Sequence, residues 1–489
     1  MRSRKRCETQ RVKHPGLAFD PDATVCADAG PIARGQEAPV KFLLINPTSP
    51  FRRAEAPGVY RGPRAFRFSM LSSLYVAASL PSGVETRIVD EDVEPIDFEA
   101  EADLVGVSFM TYNAPRAYEI ADEFRRRGRP VVFGGYHPSF LPEEAVRHAD
   151  AVCVGEAEGS VPQMIADFRA GCLRPVYHSA LVSLAGLPIP NRSLIRQGGY
   201  ITPDAVQATR GCPHACTFCS VTAFGQHRFR TRPVDEVIDE VQRLGRWLIF
   251  MDDNIIGDRD YAKELLARLA PLKRRWCSQC SMRIAADAEL LDLARKSGCV
   301  ALFVGLESLS DGNLRACRKP TRRALDYGRA IARLHAAGIG VYAGFVFGMD
   351  EDDAHVFGRT LEFLGEARVD VAQITILTPF PGTPLFDEME RQGRIRSRDW
   401  SLYDFDHVVF EPKRMSPEIL QAGADWVQSR FYSRTSTWRR VARTFGYLAP
   451  SVVLRTMLPL SIGYRLRQRV YDTYDRGRRF GSLVRGEGT

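Results

Sequence analysis

Between residues 205 and 379 the sequence repeats one pattern: a short apolar run, then a longer amphipathic one. AVQATRG comes first. WLIFMDD (247–253), CSQCSMRI (277–284), VALFVGLES (300–308), GVYAGFVFGM (340–349) and VAQITILTP (371–379) follow. Between them lie PVDEVIDEVQRLG, YAKELLARLAPLKRR, DAELLDLARKSG, RRALDYGRAIARLHAAG and DAHVFGRTLEFLGEA. Their apolar residues fall near i, i+3, i+4 and i+7, and several end in glycine, as helices do. Short apolar strands alternating with helices fold as parallel βα units. Six such units make three quarters of an eight-unit barrel, whose chemistry gathers at the C-terminal ends of the strands.

The first of those ends carries TRGCPHACTFCS, with Cys212, Cys216 and Cys219 in a C-x3-C-x2-C spacing. Three thiolates so close together can ligate three irons of a [4Fe–4S] cluster and leave the fourth open to a small molecule. A zinc site usually takes four ligands, commonly in C-x2-C pairs, and His214 would have to fold back on its neighbours to supply one. A disulfide framework fits poorly, since the chain has an odd number of cysteines and no secretory signal is apparent. Cys277 and Cys280 form a C-x2-C pair inside a strand pattern, where residues three apart point to opposite faces. They read as packing cysteines.

The preceding part of the chain has its own pattern. KFLLINP (41–47), ETRIVDE (85–91), LVGVSFM (104–110), PVVFGG (130–135) and AVCVG (151–155) read as strands. SMLSSLYVAASLP, PRAYEIADEFRRRG and SVPQMIADFRAG read as helices. This is a doubly wound, Rossmann-like α/β pattern, and ligands on such sheets bind beyond the carboxyl ends of the strands. Gly134, Gly135 and Gly155 follow apolar strands, where a backbone can approach a bulky ligand. No G-x-G-x-x-G follows the first strand, which argues against a dinucleotide site.

With these motifs in place, the segment from about 205 to 400 resembles the core of the radical S-adenosylmethionine (SAM) superfamily, a partial (β/α)6 barrel. The cysteine spacing is that family's signature, with Phe218 at the aromatic position before the last cysteine. The resemblance implies that Cys212, Cys216 and Cys219 hold the cluster and that its open iron chelates SAM, whose reductive cleavage yields a hydrogen-abstracting radical. It also implies SAM contacts at the other strand ends: Asp253 in MDDN, Glu307 and Ser308 in GLES, Gly344 and Gly348 in GFVFG, and the backbone near Leu377 and Thr378. Taken singly, each has an ordinary alternative, the aspartates as helix caps and the glycines as turn residues. Their order along the chain makes the set specific.

INPTSP, VVFGGYHPSFLPEEA and ADAVCVGEAEGSV resemble the cobalamin (B12)-binding domain that precedes many radical SAM cores. This resemblance implies cobalamin contacts from Gly134, Gly135, His137, Gly155 and Glu156. The fingerprint Asp-x-His-x-x-Gly, whose histidine binds cobalt, is absent. Its absence leaves two readings, cobalt without a histidine lower ligand or a domain that has lost cobalamin, and His137 is a contact candidate only. The whole resembles the cobalamin-dependent radical SAM class of hopanoid methylases and bacteriochlorophyll-pathway enzymes. It implies methylation of an unactivated carbon on a hydrophobic lipid, isoprenoid or tetrapyrrole-like substrate. An electron donor such as flavodoxin or ferredoxin is implied, and a closed pocket between the two domains is expected. Two alternatives stay open: a non-methylating radical enzyme performing cyclisation, rearrangement or carbon–carbon coupling, and a cobalamin-binding sensor, which the intact cysteine triad disfavours.

The expected organisation is a disordered basic extension over 1–36, a B12-binding-like domain over 37–185, a radical SAM core over 186–400 and a basic helical region over 401–489. The formal net charge of +8 is concentrated late: eleven arginines follow Trp438, against Asp472, Asp475 and Glu487. Interleaved with them is YLAPSVVLRTMLPLSIGY (447–464). A helical cap with solvated arginines explains this region, and so does peripheral contact with anionic lipid. Nucleic acid is not expected, because no recognised binding motif accompanies the charge. No run of eighteen apolar residues is present. These features point to a cytoplasmic protein that can rest against a membrane face.

Overall fold

The computed structural model describes residues 39–49, 67, 69–202, 204–319, 327–470 and 480–485. The expected extension over 1–36 lies outside the described residues, as do 471–479 and 486–489 of the basic tail.

Six parallel strands form the first sheet: β1 (Val40–Asn46), β2 (Val84–Asp90), β3 (Leu104–Ser108), β4 (Val131–Gly134), β5 (Ala151–Val154) and β6 (Val176–His178). Their order is β2-β1-β3-β4-β5-β6. Five of the six match the strand patterns read from the sequence. The sixth, VYH, is too short to show any periodicity. Alternate residues of each strand feed opposite faces. Leu43, Ile45, Val105, Val107 and Phe133 pack on one side, and Phe42, Leu44, Leu104, Val132 and Cys153 on the other. Both faces are thus covered, as a parallel sheet requires. The order reverses between β1 and β3, and such a reversal opens a crevice beyond the strand ends.

The second sheet contains β7 (Ala205–Val206), β10 (Trp247–Phe250), β11 (Arg275–Cys280), β12 (Cys299–Glu307), β13 (Gly340–Phe347) and β14 (Val371–Ile376), all parallel and paired in chain order. This is the expected partial (β/α)6 barrel. The first strand departs from the sequence reading. It stops after two residues, and the chain leaves the sheet as β8 (Thr209–Arg210), which pairs antiparallel with β9 (Arg230–Thr231). The cause is local. The buried carboxylate of Asp252 accepts the Ala208 and Thr209 N–H groups and the Thr209 hydroxyl, so a side chain takes the place of the strand ladder.

The intervening helices form where the periodicity placed them, over Val234–Gln242, Arg259–Leu269, Ala288–Lys296, Tyr327–Ala336 and Val356–Glu366. Asp258 and Asp287 cap the second and third by accepting backbone N–H groups of the first turn. Cys280 is buried in the barrel core and Cys277 packs partly buried against it. The chain then runs through helices Pro417–Phe431, Arg434–Thr444 and Leu458–Val470. Tyr432 and Tyr464 stack on each other, and Tyr432 exchanges two hydrogen bonds with the Ala372 backbone. The two sheets are joined by packing as well as by chain. Phe380, Phe386, Trp400 and Tyr403, all beyond β14, bury themselves against the Leu43–Ile45 face of the first sheet. The Trp400 indole N–H donates to Glu144.

Candidate active site

Cys212, Cys216 and Cys219 lie in the loop between β8 and the short helix Ser220–Phe224, at the carboxyl edge of the barrel. Several separate elements pin this loop. Gly211, at φ +86°, donates its N–H to Asp253, 3.0 Å away. Thr217 donates to the Cys317 carbonyl (3.1 Å) and accepts from the Leu385 N–H (3.0 Å). Cys219 N–H closes on the Cys216 carbonyl (3.2 Å), and Thr222 Oγ1 donates to the His214 carbonyl (3.2 Å). Asn254 Nδ2 faces Cys212 Sγ at 3.8 Å.

All three cysteines are free, partly buried thiols. Burial raises Cys212 above the usual thiol range. Burial also pushes Cys216 up to about 12, against the opposing charge of Lys319 and with the neighbouring thiols adding to the rise. Binding to iron removes such protons outright. Among the described residues no three His, Cys, Asp or Glu side chains gather on a single metal ion. A four-iron cluster makes no such demand, since each thiolate binds a different iron. A pinned loop carrying three thiols and no fourth protein donor fits that cluster.

The remaining strand ends share the same carboxyl edge. Asp253 is committed to the cysteine loop, through Gly211. Glu307 ends β12 with φ +63°, a left-handed conformation that a non-glycine residue adopts only when its surroundings impose it. Its carboxylate folds back over Gly305 and pairs with Lys319 Nζ at 2.6 Å. The Lys319 charge opposes the rise at Cys216 and adds to the lowering that burial causes at His214, so this ion pair lies near the thiol loop. Phe218 packs partly buried against the barrel core. Ser308, buried, accepts from Ser310 N–H and the Asn313 amide. Gly344 lies within β13, where a Cβ would come within 3.0 Å of Phe303. Gly348 has φ +98°, and a Cβ there would meet Leu420 at 2.7 Å, so packing alone requires glycine. Leu377 N–H donates to the Phe347 carbonyl and Thr378 Oγ1 to the Ile376 carbonyl, both side chains buried.

A cavity of about 590 Å3 lies between the two sheets. The glycine-bearing ends of β4 and β5 form one wall, with Gly134, Gly135, Gly155 and Glu156. Arg210, Gly211 and Asp253, next to the cysteine loop, form the other. Gly135 has φ +101°, and a Cβ there would lie 2.6 Å from the Phe109 carbonyl oxygen. At Gly155 it would lie 2.9 Å from that of Ser179. Gly134 differs: nothing stands within 4 Å of a Cβ placed on it. Tyr136 stacks on Phe224 across the two sheets (4.5 Å between centroids). Glu156 holds the Arg230 guanidinium through both oxygens, and Glu158 pairs with Arg210. Burial works to raise the Glu156 carboxyl, but the Arg230 hydrogen bonds and the charges of Arg210 and Arg230 hold it below the usual range.

His137, the notional cobalamin contact, is not among the residues that line this cavity. The chain turns at Gly135 into the short helix Tyr136–Phe140. Neighbouring residues on a helix point about 100° apart, and Tyr136 takes the cavity side. His137 is fully buried behind it, its Nε2 3.0 Å from the Tyr118 hydroxyl and its ring 5.5 Å from that of Trp400. Among the described residues no histidine lines the cavity. Close-approach glycines without a histidine fit a corrin whose cobalt has no histidine lower ligand. Sequence reasoning missed four participants. Asn254 stood in the noted MDDN run and Arg210 in TRGCPHACTFCS, whereas Lys319 and Arg230 carried no local signal.

A glycine-edged parallel sheet and the approach to a three-thiol loop thus share one cavity. The profile described as Radical SAM superfamily matches residues 206–364, and that of the B12 binding domain matches residues 59–165. The chain is 32% identical to the bacteriochlorophyllide d C-12(1)-methyltransferase of Chlorobaculum tepidum, over 84% of its own length and 91% of that protein's. It is 27% identical to the hopanoid C-2 methylase of Rhodopseudomonas palustris, over 66% and 64% of the two chains. Its fold matches that of TsrM, a radical S-adenosylmethionine methyltransferase from Kitasatospora setae solved with cobalamin and a [4Fe–4S] cluster. That match has a TM-score of 0.60 at 16% identity and covers 89% of this chain and 99% of the other.

The chain belongs to the cobalamin-dependent radical SAM methyltransferase family. Its cofactors are a [4Fe–4S] cluster, SAM and cobalamin. No helix among the described residues is long and apolar enough to cross a membrane.

Proposed function

We propose that this enzyme methylates an unactivated carbon of a hydrophobic, tetrapyrrole-like or isoprenoid substrate. The observation that carries the reading is the single cavity on which the glycine-edged sheet and the neighbourhood of the thiol loop both open. Apolar side chains such as Phe42, Leu44, Val107 and Met251 line it, and the relatives named above act on a bacteriochlorophyllide and a hopanoid. When bound, the three cofactors supply an electron, a hydrogen-abstracting radical and a methyl carrier. The protein's part is placement. Cys212, Cys216 and Cys219 hold the cluster. Phe218, Asp253, Glu307, Ser308, Gly344, Gly348, Leu377 and Thr378 surround SAM, with Asp253 acting through the backbone of the cysteine loop. Gly134, Gly135 and Gly155 admit the corrin. Glu156, with Arg230, keeps the two sheets closed around the cavity and excludes water from it. The electron comes from a flavodoxin- or ferredoxin-type donor. The units in this reading are a B12-binding domain over 37–185, a radical SAM core over 186–400 and a C-terminal region over 401–489.

The test is product analysis after anaerobic cluster reconstitution with cobalamin, SAM, reductant and candidate substrates. S-Adenosylhomocysteine formed together with 5′-deoxyadenosine supports methylation. 5′-Deoxyadenosine alone, with substrate consumed, replaces it with a cyclisation, rearrangement or coupling reaction. Neither product, with a reduced and intact cluster, leaves a cobalamin-binding sensor.

The C-terminal helices support peripheral membrane contact in the same reading. Trp438, Phe445, Leu454, Ile462 and Leu466 are exposed there, and Leu454, Ile462 and Leu466 recur at multiples of four residues. Arg434, Arg439 and Arg455 are exposed beside them. An apolar stripe edged by arginines suits an anionic headgroup layer. The full chain should float with anionic vesicles at low salt, and Trp438→Ala with Leu454→Ala should weaken that binding several-fold. No flotation at low salt would remove membrane contact from the proposal.

A further inference from the structure

We infer that Asn254 tunes the reduction potential of the cluster by donating a hydrogen bond from its amide to the Cys212 sulfur. The inference rests on Cys212, Cys216 and Cys219 being the cluster ligands.

The argument begins with the orientation of the amide. An asparagine side chain can be turned over without changing its shape, so which end faces the sulfur must come from its partners. Here the Asn254 Oδ1 accepts the backbone N–H of Ser281 at 3.1 Å. An N–H can only donate, so the oxygen must face Ser281 and the NH2 must face the other way. What lies there is Cys212 Sγ, 3.8 Å from Nδ2, within reach of a large and diffuse acceptor. The backbone of Asn254 is fixed as well: its carbonyl accepts from Gly257 N–H (2.9 Å), and the next N–H donates to the Gln279 carbonyl (3.1 Å). The residue is 3% exposed, so little water competes for either end of the amide.

The two residues before it act on the same loop. Asp252 holds Ala208 and Thr209, and Asp253 holds Gly211. The run Asp252–Asp253–Asn254 is therefore one device. Its carboxylates set the course of the chain into the cysteine loop, and its amide reaches the first ligand. A donor to a ligating sulfur draws density from it and favours the reduced, more negative state of an iron–sulfur cluster. Asn254 is a positioning and tuning residue. It need not touch substrate.

The experiment compares midpoint potentials of the reconstituted full-length enzyme by redox titration, followed by electron paramagnetic resonance of the reduced cluster. Asn254→Leu removes the donor and should lower the potential, read as a three- to tenfold fall in the ratio of reduced to oxidised cluster at a fixed ambient potential. Tenfold corresponds to about 59 mV for a one-electron couple. Asn254→Asp keeps the shape but puts a carboxylate beside the thiolate, and should shift the potential further the same way. Ser281→Pro leaves Asn254 in place and deletes the N–H that orients it, together with a hydroxyl that makes no cap hydrogen bond. Ser281 has φ −74° and ψ 151°, which proline accepts. It should produce a smaller shift in the same direction, and it decides the matter if Asn254→Leu fails to assemble a cluster. Unchanged potentials and spectra in variants carrying a full complement of iron and sulfide overturn the inference while leaving the cluster intact. A variant with all three cysteines replaced that keeps its cluster would overturn the ligand assignment instead.

Discussion

Cys216→Ala abolishes 5′-deoxyadenosine formation and reduces cluster content to background, while the fold survives. Cys216 sits in the middle of the pinned loop, with a partly buried thiol and no disulfide partner. Its loss leaves two thiols for three irons. The loop itself is held by backbone bonds from Thr217 and Cys219 and by Asp253, none of which depends on the Cys216 side chain. Stability of the unloaded protein should therefore change by about 1 kcal/mol or less. Cys280→Ala is the opposite case. That thiol is buried in the barrel core, and removing it should cost on the order of 1 kcal/mol through lost packing while cluster content stays at the wild-type level. Iron and sulfide analysis with chemical denaturation separates the two. A Cys216→Ala protein that still cleaves SAM at the wild-type rate would refute the ligand assignment.

The second large effect divides two adjacent glycines. Gly134→Ala should leave stability within about 0.5 kcal/mol, because nothing lies within 4 Å of the added Cβ. That empty space belongs to the cavity, so the methyl group occupies room the corrin needs. Cobalamin affinity should fall at least about tenfold, equivalent to about 1.4 kcal/mol, and methyl transfer should fall with it. Gly135→Ala acts through the fold. Its φ of +101° and ψ of −168° belong to a region used almost only by glycine, and the Cβ would press on the Phe109 carbonyl at 2.6 Å. The strain should cost on the order of 3 kcal/mol whether or not cobalamin is present. Spectroscopic titration with cobalamin and equilibrium denaturation distinguish the two outcomes. Wild-type cobalamin affinity in Gly134→Ala would show that the corrin does not lie against β4.

The interdomain contacts explain why the cavity holds its shape. Glu156 and Glu158 on one side meet Arg230 and Arg210 on the other, all largely shielded from solvent. Each of these charges would be costly to bury alone, and each meets its opposite charge across the junction. Trp400 and Tyr403 add apolar packing against the far face of the first sheet.

What was legible in the sequence follows from periodicity and from covalent spacing. Apolar runs separated by amphipathic segments announce parallel βα units, because each element must bury one stripe or both faces. Cys212, Cys216 and Cys219 are neighbours in the chain, so their convergence needs no knowledge of the fold. The glycines after β4 and β5 were readable for the same reason: their backbone demands are local.

Other features were not legible. The first barrel strand breaks after Val206 because the carboxylate of Asp252, just beyond the next strand, captures the Ala208 and Thr209 N–H groups. His137 turns away from the cavity because Gly135 starts a helix there, and Tyr136 takes the inward side. Asn254 finds Cys212 across 42 residues, and Glu156 finds Arg230 across 74. The sequence by itself determined two parallel α/β units and a trio of neighbouring thiols, since these depend on periodicity and short-range spacing, whereas the corrin site was implied by resemblance to the B12-binding domain. Tertiary structure alone decided which side chains face the cavity, which close it, and which amide touches the cluster sulfur. Those choices depend on partners brought together only when distant strands align at one edge.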